Sequence, residues 1–162
     1  LRKKIPGISI RTTVIVGFPG ETEEEFTDLM RFLKDIRFER LGAFIYSQEE
    51  GSRSFGMRNP VASELKQERF NAVMAQQQEI SNQINQAEIG RTLTVLVDEK
   101  NSKEKGIYFG RTEGDAPEVD NQVIIHSFGA LKPGQFVFVT VTDAMEFDLV
   151  GDVDSGRKGR VG

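Results

Sequence analysis

From Thr12 to Val16 apolar and β-branched residues follow one another, and the block Ile8 to Gly17 (ISIRTTVIVG) runs into Gly-Phe-Pro-Gly. Such a run is what a parallel strand buried on both faces presents, and the sequence after it is a turn signal. Thr22 with Glu25 three positions on is a capping box, and Glu23 and Glu24 suit the positive end of a helix dipole. Phe26, Leu29, Met30 and Leu33 recur at spacings of three and four, so that helix has one apolar face. A second strand is expected over Leu41 to Tyr46 (LGAFIY), followed by polar SQEEGS. Strand, helix, strand in this order predicts a right-handed βαβ unit of a parallel sheet or barrel. Two strands do not bury a core alone, so the rest of the sheet is expected ahead of Leu1.

From Val61 to Ala87 there is neither Pro nor Gly, and Phe70, Val73, Gln77, Ile80, Ile84 and Ala87 step by 3, 4, 3, 4 and 3. That spacing lays one thin stripe along a helix of about seven turns. Pro60 and Gly90 fit its boundaries, giving a connecting helix over 61–88. Its other faces are rich in Gln and Asn. The reading is a helix packed on one side, with a coiled-coil partner as the alternative. After Gly90 the rhythm changes to period two. Thr92–Val97, Ile107–Arg111, Val119–Ile125, Phe136–Val141 and Phe147–Val150 are short alternating runs with turn formers between them. Five such runs predict a small antiparallel β-barrel of OB-like character over 89–153. The tail over 154–162, Gly-rich and basic, is expected to be disordered.

Charge refines this division. Residues 1–60 carry 10 Lys/Arg against 9 Asp/Glu, and residues 61–88 carry 2 against 4. Residues 89–153 carry 6 against 11, a net of −5, and the tail carries 3 against 1. A non-specific nucleic-acid binder neutralises phosphates with Lys and Arg. An acidic module argues for a basic partner instead. No apolar run approaches a membrane span, and the basic start lacks the apolar region of a signal peptide. With no Cys and a single His (His126), the segment offers neither a thiolate metal site nor a histidine-based zinc centre.

Candidate chemistry concentrates at the ends of the two strands, since the working rim of an α/β barrel is where strands finish. Gly17, Pro19, Gly20 and Glu21 form one rim, where glycines permit close backbone approach and N–H groups at a helix start attract a carboxylate or phosphate. The same residues also read simply as a turn. The second rim is Tyr46-Ser47-Gln48-Glu49-Glu50-Gly51. Phe44 and Tyr46 share one face of their strand and could flank a planar ring, with core packing the plainer role for Phe44. In the third segment Arg111, Asp115, Glu118 and Asp120 lie in the loop RTEGDAPEVD, stiffened by Pro117. It is either a contact surface for a substrate or a solvated hairpin. Lys100, Lys103 and Lys105 form a small basic tip, either touching RNA or only solubilising.

The pairing of the rims is more specific. TTVIVGFPGETEEEF followed by LGAFIYSQEEGS resembles the last two βα units of the radical S-adenosylmethionine (SAM) methylthiotransferases. The third segment resembles the TRAM barrel that ends members of that family. YSQEEGS and GRTEGDAPEVDNQV resemble the branch that modifies an aspartate of ribosomal protein S-twelve, whereas the tRNA-modifying branch more usually has Tyr-Ser-x-Arg-x-Gly-Thr. The resemblance implies residues 1–60 as the C-terminal portion of a radical SAM barrel. It implies SAM and two 4Fe–4S clusters as cofactors, with all cluster cysteines upstream, so that this segment alone is inactive and holds no catalytic residue. It implies that a 5′-deoxyadenosyl radical abstracts hydrogen from the aspartate β-carbon before methylthio transfer. By the same resemblance the turn from Gly17 to Glu21 borders the methionine and ribose of SAM, and the backbone of Phe44 to Ser47 lies against adenine. Arg11 pairs with a carboxylate of SAM or substrate, or else with a structural partner. The expected protein is a cytoplasmic, monomeric transferase whose substrate is the basic ribosomal protein, with RNA disfavoured by the acidic barrel. The alternatives are a tRNA methylthiotransferase and a non-enzymatic adaptor.

Overall fold

The computed structural model describes residues 1–117, 119–154 and 156. Glu118 and most of the tail expected to be disordered over 154–162 lie outside the described residues. The chain forms two compact units, one of Ser9–Ile80 and one of Leu1–Ile8 with Ser81 onward.

In the first unit, strands β1 (Arg11–Val16) and β2 (Arg40–Ile45) pair in parallel, in register from Arg11 beside Arg40 to Val16 beside Ile45. Helix α1 (Glu23–Ile36) lies between them in sequence. Its capping box is formed: Thr22 Oγ1 accepts from the Glu25 N–H at 3.2 Å, and Glu25 Oε2 accepts from the Thr22 N–H at 2.8 Å. The helix ends on Arg37, left-handed at φ 53°, whose N–H donates to Leu33 O. Val16, Phe26, Leu33, Phe38, Ala43 and Val73 make the core. The expectation of strands buried on both faces is corrected. Side chains alternate along a strand, and here Val16 and Ala43 point inward while their neighbours Ile15 and Phe44 are 56% and 63% exposed. The second face is as apolar as the first, which is why the run reads as doubly buried, yet it is open among the described residues.

Helix α2 (Ser63–Gln86) begins in the first unit. Its buried positions are Arg69, Val73, Gln77, Ile80, Ser81 and Asn85. The predicted stripe holds at Val73, Gln77 and Ile80; Phe70 and Ile84 are half-buried, and Ala87 is exposed beyond the helix end. The amide-rich faces are not merely solvated. Gln76 Nε2 donates to Met30 O and Gln77 Nε2 to Phe38 O, each at 3.0 Å, within the first unit. Within the second, Asn85 Nδ2 donates to Met145 O at 3.1 Å and Gln86 Nε2 to Ala144 O at 3.0 Å. Phe38, Ala144 and Met145 lie at or beyond element ends, where carbonyls lack some ladder partners, and side-chain amides satisfy them; Met30 O, inside α1, accepts the Gln76 amide as an additional bond.

The second unit is a closed barrel of β3 (Thr92–Lys100), β4 (Ile107–Arg111), β5 (Val123–His126), β6 (Phe136–Ala144) and β7 (Leu149–Val153), ordered β3-β4-β5-β7-β6. The antiparallel expectation fails at one seam, since β5 and β7 pair in parallel. The reason is parity. Strand direction cannot alternate all the way around a closed ring of five, so one pair must run the same way. The period-two reading is borne out in β6, where Val137, Val139 and Val141 are buried and alternate with less buried neighbours. These join Val95, Val97, Tyr108, Val123, Ile125 and Leu149 in the barrel core. Register shifts at Val97/Glu99 and Val141/Asp143 supply local bends. Two strand starts are corrected. β5 begins at Val123 instead of Val119, because the Asp120 N–H turns back onto Ala116 O instead of entering the ladder. β7 begins at Leu149 instead of Phe147, because Met145 to Asp148 turn the chain, with the Met145 N–H on Asp148 O. Among the described residues no helix is long and apolar enough to cross a membrane.

Candidate functional site

The C-terminal ends of β1 and β2 carry the first candidate site. Gly17 leaves β1 at φ 75° and Gly20 follows at φ 88°, conformations that favour glycine. Between them Phe18 sets its ring edge-on to Tyr46, with centroids 5.0 Å apart. Glu21 folds back over the turn, both carboxylate oxygens accepting from the Gly17 N–H at 3.1 and 3.0 Å. The Gly20 N–H donates to Asn59 O at 2.8 Å and the Glu21 N–H to Phe18 O at 2.9 Å. Several of the amides expected to be free for an anion are already engaged: those of Gly17, Glu21, Thr22 and Glu25 have partners within the turn and cap, and that of Gly20 has Asn59 O. An open depression of about 360 Å³, lined by Phe18 to Glu21 with Glu25, Phe26 and Leu29, adjoins it.

Two residues that the sequence reading missed hold this rim from α2. Lys66 Nζ donates to Tyr46 O at 3.1 Å and lies 5.1 Å from the Tyr46 ring centroid. Its aliphatic stem occupies the space into which a side chain at Gly17 would project. Arg69 Nη1 donates to Glu21 Oε1 at 2.5 Å and to Glu21 O at 3.2 Å, and Nη2 donates to Glu23 Oε2 at 3.1 Å. The available signal was spacing: residues 66, 69, 73, 77 and 80 share one helical face with the buried Val73 and Ile80.

Of the other predicted residues, Tyr46 is at this rim, half-buried, its hydroxyl donating to Ser54 O at 3.3 Å. Ser47 follows it, with its Oγ on Glu49 at 3.2 Å. Phe44 does not take the core role considered for it; it stands on the open sheet face beside Ile15. Arg11 is not brought to the rim. It starts β1, a strand's length of about 20 Å from Gly17.

The second candidate site is the loop after β4. Arg111 forms an ion pair with Asp98. Asp115 Oδ2 accepts from the Thr112 N–H at 3.1 Å and from Thr112 Oγ1 at 2.6 Å. Asp120 Oδ2 accepts from the Ala116 N–H at 2.6 Å. These carboxylates shape the loop from within. The Thr22 N–H, then the Thr22 hydroxyl, holds the Glu25 carboxyl below the usual carboxylate range.

The barrel now has a class. Residues 89–153 match the TRAM domain family. Most of the chain is similar to curated proteins named ribosomal protein uS12 methylthiotransferase RimO. That of Caldanaerobacter subterraneus is 49% identical over 150 residues, covering 93% of this chain and 34% of the relative. That of Desulforamulus reducens is 47% identical over 153 residues, covering 94% and 34%, and that of Clostridioides difficile is 46% identical over 153 residues, again 94% and 34%. The chain spans about a third of the length of these relatives. The resemblance read from the two rims and the barrel loop is borne out as a likeness: over most of its length this chain is 46–49% identical to proteins named RimO.

Proposed function

We propose that this chain is part of a radical SAM methylthiotransferase that adds a methylthio group to the β-carbon of an aspartate in ribosomal protein uS12, in the cytoplasm. The observation that carries the reading is the alignment of 93% or 94% of the chain with proteins named for methylthio transfer to uS12. In this reading residues 1–60 end the radical SAM barrel, 61–88 connect, and 89–153 hold the protein substrate.

The rim fits one flank of an adenosyl group. Ile15 and Phe44 offer an exposed apolar face for a planar ring, and beyond the adjoining residues no atom lies within 4 Å of the position a side chain at Gly20 would take. It does not fit an iron–sulfur cluster, because the 162 residues contain no Cys. The thiolates for two 4Fe–4S clusters belong to the longer protein. When bound, SAM and the clusters supply the radical and the sulfur. This chain's own residues do simpler work. Phe44 and Ile15 exclude water from one side of the cofactor, the turn from Gly17 to Glu21 borders its methionine and ribose, and Tyr46 with Ser47 continues the wall. Such positioning is a large part of what a protein contributes to cofactor chemistry. In the barrel, Arg111, Asp115, Glu118 and Asp120 form the substrate loop, with Asp115 and Asp120 keeping its shape.

The acidic balance of the barrel, 6 Lys/Arg against 11 Asp/Glu over 89–153, supports a basic protein over RNA as its partner. Equilibrium binding of the full-length protein to uS12 and to tRNA, across a salt series, tests this. Binding to uS12 with only weak tRNA binding is expected. Tight tRNA binding with a steep salt dependence, and none to uS12, would overturn it.

A further inference from the structure

Arg69 is 2% exposed, and a guanidinium is rarely buried so fully. Removing it from water is costly unless partners compensate. Its partners all lie on one short segment. Three N–H bonds reach Glu21 O, Glu21 Oε1 and Glu23 Oε2, and the guanidinium carbon sits 5.1 Å from the Phe26 ring centroid. The Nε is buried and has no hydrogen-bond partner. The side chain is thus oriented by the far end of its fork, toward the turn, at the expense of its own Nε.

The contact does not stop at Glu21. The carboxylate that Arg69 grips is the one that accepts from the Gly17 N–H through both oxygens. Guanidinium, carboxylate and amide form a relay that fixes the residue where β1 ends. Three positions earlier on the same helical face, Lys66 makes the matching contact on the end of β2, at Tyr46 O. An ordinary surface ion pair contributes little, because water competes for it. Here Arg69 and Glu21 side chains are only 3% and 13% exposed, so the pair is largely shielded from that competition.

We infer that Arg69 is a positioning residue for the cofactor-binding rim: through Glu21 it sets the shape of the Gly17–Glu21 turn. This rests on the reading of that rim as a wall of the SAM pocket. A purely structural ion pair would add to stability without controlling cofactor affinity.

The test uses the full-length protein with its clusters reconstituted, in wild-type, Arg69→Met and Arg69→Lys forms, with Arg31→Met as control because Arg31 pairs only on the surface with Asp28. Amide hydrogen exchange of the peptide containing Gly17 to Glu21 reports the turn, and equilibrium dialysis with SAM reports the pocket. Arg69→Met is expected to speed exchange at the turn and weaken SAM binding by about tenfold or more, raising KM for SAM more than it lowers kcat. Arg69→Lys is expected to recover part of both, since an ammonium keeps the charge on Glu21 but cannot fork to Glu23. Should Arg69→Met not fold, Arg69→Lys and Glu21→Gln carry the same comparison. Unchanged exchange at the turn in a folded Arg69 variant overturns the inference. So does faster exchange with unchanged SAM affinity. A wild-type protein that binds no SAM overturns instead the reading of the rim, while the exchange data still decide whether Arg69 sets the turn.

Discussion

Adding one methyl group at Gly151 measures how tightly the barrel closes. Gly151 lies on β7 opposite Val141 of β6 and beside Ile125 of β5. A Cβ there would stand 2.5 Å from Thr140 O and 2.6 Å from Val139 Cγ1. Its φ is outside the left-handed region, so alanine meets no conformational barrier, only atoms. One of those atoms is backbone of a paired strand and cannot rotate away. Overpacking of this kind costs about 1–3 kcal/mol, and a backbone obstacle belongs at the upper end. Gly→Ala also stabilises by about 0.4–1 kcal/mol through the unfolded chain. A net loss of about 2 kcal/mol for Gly151→Ala corresponds to about 30-fold faster exchange of barrel amides that open with the whole unit. Gly129→Ala is the matched comparison: its Cβ would meet only Ser127 Oγ, at 3.9 Å, so exchange is expected to stay unchanged or slow slightly. Native-state hydrogen exchange of β6 and β7 amides reads both. Equal exchange in the two variants would refute the claim that close strand approach at Gly151 sustains the barrel.

The remaining predictions concern the first unit. Glu25 has its folded-state pKa lowered by its bonds to Thr22, so its contribution to stability is present above the ordinary carboxylate value and is lost as pH falls through the lowered one. Thr22→Ala is expected to return the Glu25 titration, followed by NMR, toward that ordinary value; an unmoved titration contradicts the cap as its cause. Gln77, buried, donates to Phe38 O, so Gln77→Ala leaves a carbonyl unpaired and is expected to cost about 1–3 kcal/mol. Thermal unfolding indistinguishable from wild type would show that this bond contributes nothing.

Local signals in the sequence reached as far as local physics does. The Thr22–Glu25 box is formed within four residues, so its helix start was legible. The change of period after Gly90 marked the barrel because alternate burial follows from strand geometry alone. Val119 misled because β-branching reads as strand, whereas the Asp120 N–H after it turns back onto Ala116 O. The parallel β5–β7 seam needs ring closure, which no window along the chain contains. Spacing set Arg69 on the buried face of α2, but its partner was illegible for a similar reason. A cation in a polar helix reads as solvated until Glu21, 48 positions away in sequence, is placed against it.

The central claim is the reaction, and the most direct measurement is the product. The full-length protein with reconstituted clusters, reductant, sulfide and SAM is incubated with uS12 in one reaction and with bulk tRNA in another, and both are analysed by mass spectrometry. The account predicts one methylthio group on a single aspartate of uS12 and none on tRNA. A methylthio adenosine in tRNA with unmodified uS12 would contradict it.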